Sequence, residues 1–407
     1  MALACGGDKS TVYSSDSGFY DSGNDTGPYG EDPIDSGEWE PLNSTASWVS
    51  ANPGFGTGGA FLDIDQDGDP DLVVAHGNDM RPGHLVVYEN VDGEFSEWPE
   101  WESADAEYYG HVSVGDLNGD SWPDVAVSRF LGQDRFEEPG GVQVFLNREG
   151  LLDDTPSWEA SGFFSFACAL GDLDQDGDLD LAVATGEAYY NDPSRSLVFS
   201  NDGTGSFGDA PIWMTEADRH SFDAVWADVD GDGWDDLAFA NQGTGHTVYR
   251  NVAGILDATP WWEAGSEDGG YEGNTIDAGD VDGDGRIDLV ISDNDQLGGV
   301  GLLRLWCGVP MSICWEAEQS YASAVRFADW DGDGDIDLAA GGWWSPVVIY
   351  ENEEGALSGS PVWSSYKQDI VVEALDWADI DGRPGLELMV TDWTEDAGNR
   401  IWTRSLE

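Results

Sequence analysis

Apolar residues in this chain come in short β-branched runs bounded by glycine, proline or aspartate, as in Asp71-Leu72-Val73-Val74-Ala75 and Asp288-Leu289-Val290-Ile291-Ser292. Such runs predict strands. Each is preceded by an alternating stretch such as His111-Val112-Ser113-Val114-Gly115. Each is followed by a third strand that ends in an aromatic and often an asparagine, as in Val87-Tyr88-Glu89-Asn90, Val144-Phe145-Leu146-Asn147 and Ile349-Tyr350-Glu351-Asn352. A fourth strand carries a tryptophan, at Trp48, Trp101, Trp158, Trp213, Trp262, Trp315 and Trp363. Four short strands thus recur in units of roughly 50 residues, which predicts an all-β chain folded as a seven-bladed β-propeller of four-stranded blades.

Between the first two strands of each unit lies an acidic loop, beginning at Asp63, Asp116, Asp172, Asp228, Asp280, Asp329 and, in degraded form, Asp379. Successive starts are 53, 56, 56, 52, 49 and 50 residues apart. Asp172-Leu173-Asp174-Gln175-Asp176-Gly177-Asp178-Leu179-Asp180 is the clearest copy. Carboxylates at its first, third, fifth and ninth positions offer the oxygen ligands that a hard cation such as Ca²⁺ requires. An EF-hand is excluded: position twelve of the first loop is Val74 rather than a bidentate glutamate, and the flanks are strands.

The order of strands also predicts how the ring closes. The first strand, around Trp48, has no partners before it, and the last, Arg400-Ile401-Trp402-Thr403-Arg404, has no tryptophan strand after it. The N-terminal strand is therefore expected to complete the last blade, leaving no sheet edge open at the junction. The propeller should span residues 42–407, and the chain is expected to act as a monomer.

Composition narrows the partners. With 82 Asp+Glu against 15 Lys+Arg the formal charge is −67, and six divalent ions would leave about −55. Nucleic acids and anionic lipid surfaces need basic patches that so few cations cannot supply. No apolar run is long enough to span a membrane. Cys307 and Cys314 flank a turn-like segment and are expected to form a hairpin disulfide, which implies an oxidising compartment. Cys168 reads as a small core residue.

The start of the chain, Met1-Ala2-Leu3-Ala4-Cys5-Gly6-Gly7, resembles the end of a bacterial lipoprotein signal, with Cys5 as the lipid-bearing residue. Only four residues precede Cys5, so either the true start lies upstream or Cys5 is an incidental thiol. Residues 1–5 are read as the remnant of that signal. Residues 6–41 are rich in Gly, Ser and Asp and are read as a disordered acidic tether.

The repeated Asp-x-Asp-x-Asp-Gly-x-x-Asp-Leu loop within a four-strand unit resembles the FG-GAP or VCBS repeats of integrin α-subunit propellers and bacterial surface proteins, over about residues 44–407. Phe55-Gly56 with Gly58-Gly59-Ala60 is similar to the motif that names that family. The resemblance implies a secreted or cell-surface calcium-binding protein used in adhesion. It also implies side-chain ligands at positions one, three, five and nine, with a backbone carbonyl at position seven. These ligands are Asp63, Asp65, Asp67 and Asp71; Asp116, Asn118, Asp120 and Asp124; Asp172, Asp174, Asp176 and Asp180; Asp228, Asp230, Asp232 and Asp236; Asp280, Asp282, Asp284 and Asp288; and Asp329, Asp331, Asp333 and Asp337. In the seventh loop Arg383 and Glu387 take positions five and nine, so about six structural Ca²⁺ are expected, with Arg383 in an internal ion pair. Affinities of roughly 10⁻⁴ to 10⁻³ M are typical of extracellular modules.

Recognition of a glycan or protein is expected on the face opposite the calcium loops. Its connections hold His76, Asn78, Asp79 and Arg81; Tyr108, Tyr109 and His111; Arg129; Phe163 and Phe164; Glu187, Tyr189 and Tyr190; His220; Asn241 and Gln242; Asp293, Asn294 and Asp295; Tyr321; Trp343 and Trp344; and Trp393 and Glu395. Aromatics interleaved with amides and carboxylates suit sugar faces and their hydroxyls, or an arginine-bearing protein. No catalytic motif is present, so no catalytic residue is assigned and the chain is read as a non-enzyme. The alternative is a polysaccharide lyase or glycoside-cleaving enzyme at the channel mouth, using a carboxylate, His111 or His220, and Arg129.

Overall fold

The computed structural model describes residues 41–51, 54–265, 272–294, 301–366, 370–394 and 397–404. Cys5 and the signal remnant, residues 6–40 of the tether, Asp295 and Glu395 lie outside them. Among the described residues every regular element is a strand, and no helix is long and apolar enough to cross a membrane. Seven four-stranded antiparallel sheets form the blades of a propeller.

In chain order the inner strands are Gly56–Leu62, Tyr108–Gly115, Ser165–Gly171, His220–Ala227, Gly273–Gly279, Ala322–Ala328 and Val372–Ala378. The acidic loops follow them, and the blades and loops are numbered 1 to 7 in that order. Blade 7 is finished by Trp48–Val49, which pairs antiparallel with Arg400–Trp402. The predicted ring closure is therefore observed, and the isolated bridge Leu42–Arg404 extends the same seam.

Each blade is sandwiched between two others, so its second strand is buried on both faces. Asp71–Gly77 and Asp236–Gln242 are buried at every residue. This is why those segments read as continuous apolar runs instead of alternating ones. The outer strands do alternate, as Ser312–Gln319 shows.

The recurring tryptophan and the recurring third-strand aromatic turn out to be partners across blades. Trp48 meets Tyr88 of blade 1, Trp101 meets Phe145, Trp158 meets Phe199, and Trp213 meets Tyr249. Trp262 meets Trp306, Trp315 meets Tyr350, and Trp363 meets Trp402, closing the circle. Every pair is edge-on, with centroids 4.9–6.3 Å apart and planes at 69–82°. Edge-to-face rings add a directional attraction to the area they bury.

Inner strands are joined by side chains that accept N–H groups of the next blade. Asp223 accepts from Ile276 at 3.1 Å, Asp277 from Phe327 at 2.7 Å and Asp376 from Phe61 at 2.8 Å. The Cys307–Cys314 disulfide is formed at the end of the blade 5 hairpin, and Cys168 is buried in the core, as expected.

Candidate functional site

Each acidic loop needs two residues in the left-handed region to turn its oxygens inward. Position four supplies one, with φ of 58° at Gln66 and Gln175 and 72° at Gly119. Position six supplies the other in loops 1 to 6, with φ of 101° at Gly68 and 73° at Ser121. The position-one carboxylate then accepts the position-six N–H, at 3.2 Å for Gly68 to Asp63, 2.8 Å for Ser121 to Asp116 and 3.0 Å for Gly334 to Asp329.

Carboxylate oxygens converge as a result. Asp63, Asp65 and Asp71 each offer an atom within 4.8 Å of the others, as do Asp172, Asp174 and Asp176; Asp228, Asp230 and Asp236; Asp280, Asp282 and Asp288; and Asp329, Asp331 and Asp333. The position-nine aspartates are buried, and those of loops 1, 2, 3, 4 and 6 bridge two backbone N–H groups. Asp71 accepts from Ile64 and Asn90, and Asp124 from Leu117 and Asn147. Burial first, and then the neighbouring loop carboxylates, push the carboxyls of Asp71, Asp124, Asp236 and Asp288 up to about 7, Asp180 to about 6 and Asp337 to about 8. Asp63 Oδ1 and Asp280 Oδ1 are buried with no hydrogen-bond partner. An all-oxygen set with orphaned, crowded carboxylates fits a hard divalent cation, which would supply the missing partner and offset the repulsion.

The asparagine after each third-strand aromatic has a role that the sequence marks but does not explain. Asn147 Nδ2 donates to Pro123 O of its own loop at 3.2 Å and to Ile64 O of loop 1 at 2.7 Å. Asn90, Asn201, Asn251 and Asn352 repeat this clasp onto the preceding blade's loop.

Loop 7 departs from this scheme for reasons visible at single residues. Pro384 at position six has no N–H for Asp379. Arg383 pairs with Asp381 at 3.5 Å, as expected, but its side chain is half exposed. The buried cation is Arg404, which occupies the asparagine slot of blade 7 and donates to Trp330 O of loop 6. Burial pushes its guanidinium down, while Glu387, Asp331 and Asp381 hold it charged.

On the opposite face the channel mouth is a cup between two arcs of aromatic rings. On one side Trp343 stacks on Trp393 at 5.6 Å and on Tyr321 at 6.5 Å, with Trp344 edge-on. On the other, Phe130, Phe164, Phe166 and Phe222 are in contact, and Phe136 meets Tyr189 and Tyr190. Asn78, Asp79, Asn274 and Glu373 lie between them. Trp343 Nε1 donates to Glu373 Oε1 at 2.8 Å, and burial pushes the Glu373 carboxyl up to about 7. Tyr190 and Trp344 are the most exposed rings of the cup, at 73% and 57%.

Several candidates from the sequence are packing residues instead. His76 is buried, driven down to about 4 by burial, and bonded to Asn399. Tyr108, Tyr109, Asn241 and Asn294 are also buried. Asp293 is bound by Arg304 inside blade 5. The three groups named for catalysis have separate partners: His111 faces Asp223 at 3.7 Å within the channel, His220 bonds Asn191, and Arg129 pairs with Glu107 at 3.2 Å.

A second cavity, of about 380 Å³, opens at the acidic-loop end of the channel. Phe61, Phe327, Ile336, Trp377 and Leu386 wall it, and Arg326 lies at its base between Asp277 and Asp376.

Comparison with known proteins places these observations in context. A model of the FG-GAP-like repeat matches residues 63–127, 172–239 and 228–291. Human integrin alpha-6 is 26% identical over 242 residues, covering 56% of this chain and 19% of that protein. Xenopus laevis integrin alpha-5 is 29% identical over 221 residues, or 48% and 21%. Human integrin alpha-IIb is 34% identical over 171 residues, or 36% and 16%. The matches thus span about a fifth or less of these relatives' length. Among solved structures, a crystal structure of BBS1N in complex with ARL6DN, soaked with mercury, aligns with a TM-score of 0.56 at 12% identity, covering 90% of this chain and 96% of that one. At that identity the likeness concerns the fold.

Proposed function

We propose, from the premise that this chain is a seven-bladed β-propeller carrying FG-GAP-like repeats and related to integrin α chains, that it is an extracellular, calcium-stabilised binding or adhesion module. Its partner is a glycan or a protein, bound on the face opposite the calcium loops. The observation that carries this reading is the cup of stacked rings around Glu373, Asn274 and Asp79, with exposed Tyr190 and Trp344 at its rim. Flat ring faces next to buried acceptors suit a sugar or a side chain inserted from a partner.

Calcium in loops 1 to 6 acts as scaffold. The ions join strands within a blade, and the asparagine clasps pass that order to the neighbouring blade.

Glycan and protein arrays probed with calcium present test the proposal. Specific binding that falls at least tenfold in Trp344→Ala or Tyr190→Ala, with an unchanged melting temperature, is expected. Turnover to unsaturated sugar products, lost in His111→Ala, would replace it with an enzymatic function.

A further inference from the structure

One position outside the loop motif sets the charge beside each loop. It lies just after the third-strand aromatic and is occupied around the ring by Glu89, Leu146, Ser200, Arg250, Cys307, Glu351 and Thr403. Arg250 is the one cation among these seven residues. Its Nε lies 2.5 Å from Asp230 Oδ2 and its Nη2 lies 3.5 Å from Asp232 Oδ2, the carboxylates at positions three and five of loop 4. The Asp230 side chain is largely covered while Arg250 is 37% exposed, so solvent screens part of this contact.

The equivalent residues of blades 1 and 6 have the opposite sign. The Glu89 carboxyl is pushed up first by burial and then by Asp65, Glu100 and Asp67. That of Glu351 is pushed up by burial and then by Asp331, Glu353 and Asp333. Loops 1 and 6 thus have an added carboxylate beside them where loop 4 has a guanidinium.

We propose that Arg250 is a built-in competitor for loop 4: it holds two of the four ligand carboxylates and must swing out before Ca²⁺ enters, making this the weakest of the six calcium loops. The inference rests on the calcium reading above. It gives the protein a graded response, in which loop 4 fills only when calcium is abundant. Arg404 is the permanent form of the same device, a buried guanidinium beside Glu387 and Asp381 of loop 7.

The sequence provides a local reporter. Trp122 and Trp234 stand at position seven of loops 2 and 4, where the family resemblance implies a backbone-carbonyl ligand, so each indole would lie close enough to sensitise bound Tb³⁺. In a Trp122→Phe background, the luminescence lost on Trp234→Phe reports loop 4. Tb³⁺ titration of that background, alongside Ca²⁺ calorimetry, is expected to show loop 4 filling last. Arg250→Gln should tighten its midpoint at least about tenfold, with Arg250→Lys close to wild type. Stability should depend on calcium: Arg250→Gln melts lower than wild type in chelator, where its carboxylates lose their partner, and no lower in saturating Ca²⁺. A loop 4 midpoint unchanged in Arg250→Gln overturns the role of Arg250 while leaving calcium binding intact. No heat and no luminescence in any variant overturns the calcium reading itself.

Discussion

Asn90, in blade 1, donates its side-chain amide to the backbone carbonyl of Ile380, in loop 7, at 2.9 Å across the point where the ring closes. The same amide donates to Pro70 O, so one side chain ties together the loops of two blades. A buried carbonyl left without a donor costs roughly 1–3 kcal/mol. Replacing Asn147, which holds Ile64 O and Pro123 O in the same way, orphans two carbonyls as well as Gly150 N–H. Asn147→Ala should therefore lose about 2–4 kcal/mol in urea unfolding. A loss below about 0.5 kcal/mol would mean that water replaces the clasp.

The aromatic seam offers an independent measure of closure. Trp48 packs edge-on to Tyr88, tilts against Phe95 and donates Nε1 to Ser96 O at 3.0 Å. Trp48→Ala should cost about 2–4 kcal/mol, since a large aromatic is removed from a junction formed by one short strand. Unfolding monitored by tryptophan fluorescence and by circular dichroism should move together, because every blade depends on both neighbours.

Calcium removal should act on the whole ring. The crowded, buried carboxylates of loops 1 to 6 lose their counter-charge in chelator, and a ligand that binds only the folded state stabilises it by mass action. Scanning calorimetry with EDTA should show a markedly lower melting temperature that recovers on adding excess Ca²⁺. An unchanged melt would contradict structural calcium.

Glu373 predicts a pH dependence separate from the loops. Its folded-state carboxyl is raised to about 7 by burial, well above the value for an exposed glutamate. The stability that its neutral form contributes is fully present below about 4.5 and is lost as pH rises through about 7. Glu373→Gln keeps an acceptor for Trp343 and removes the charge. In saturating Ca²⁺ the variant should match wild type near pH 5 and exceed it by up to about 3 kcal/mol at pH 8, measured by urea unfolding. Equal stability at both values would show that the carboxylate is solvated.

Much of this architecture was legible because the repeat exposes its own rules. The carboxylates of loops 1 to 6, the tryptophans and the third-strand aromatics recur at fixed spacing, and repetition separates structural necessity from accident. Residues that occur once were harder to read. His76, Tyr109 and Asn241 were expected in connections, yet they lie in strands and are buried, because neighbouring blades pack against those strands. Arg250 and Arg404 follow third strands, and their distance in sequence from the carboxylates beside them gives no sign of the contact.

The linear pattern by itself determined seven units, four strands in each, a convergent oxygen set in each intact loop and an N-terminal strand that must finish the last blade. Those properties are local, or follow from counting strands that need partners. Only the closed ring decided which tryptophan meets which aromatic, that each asparagine holds the loop before it, and that Glu373 sits beneath Trp343 between two arcs of rings. Such contacts join residues of different blades, and they exist only once curvature has brought one blade's edge against the next.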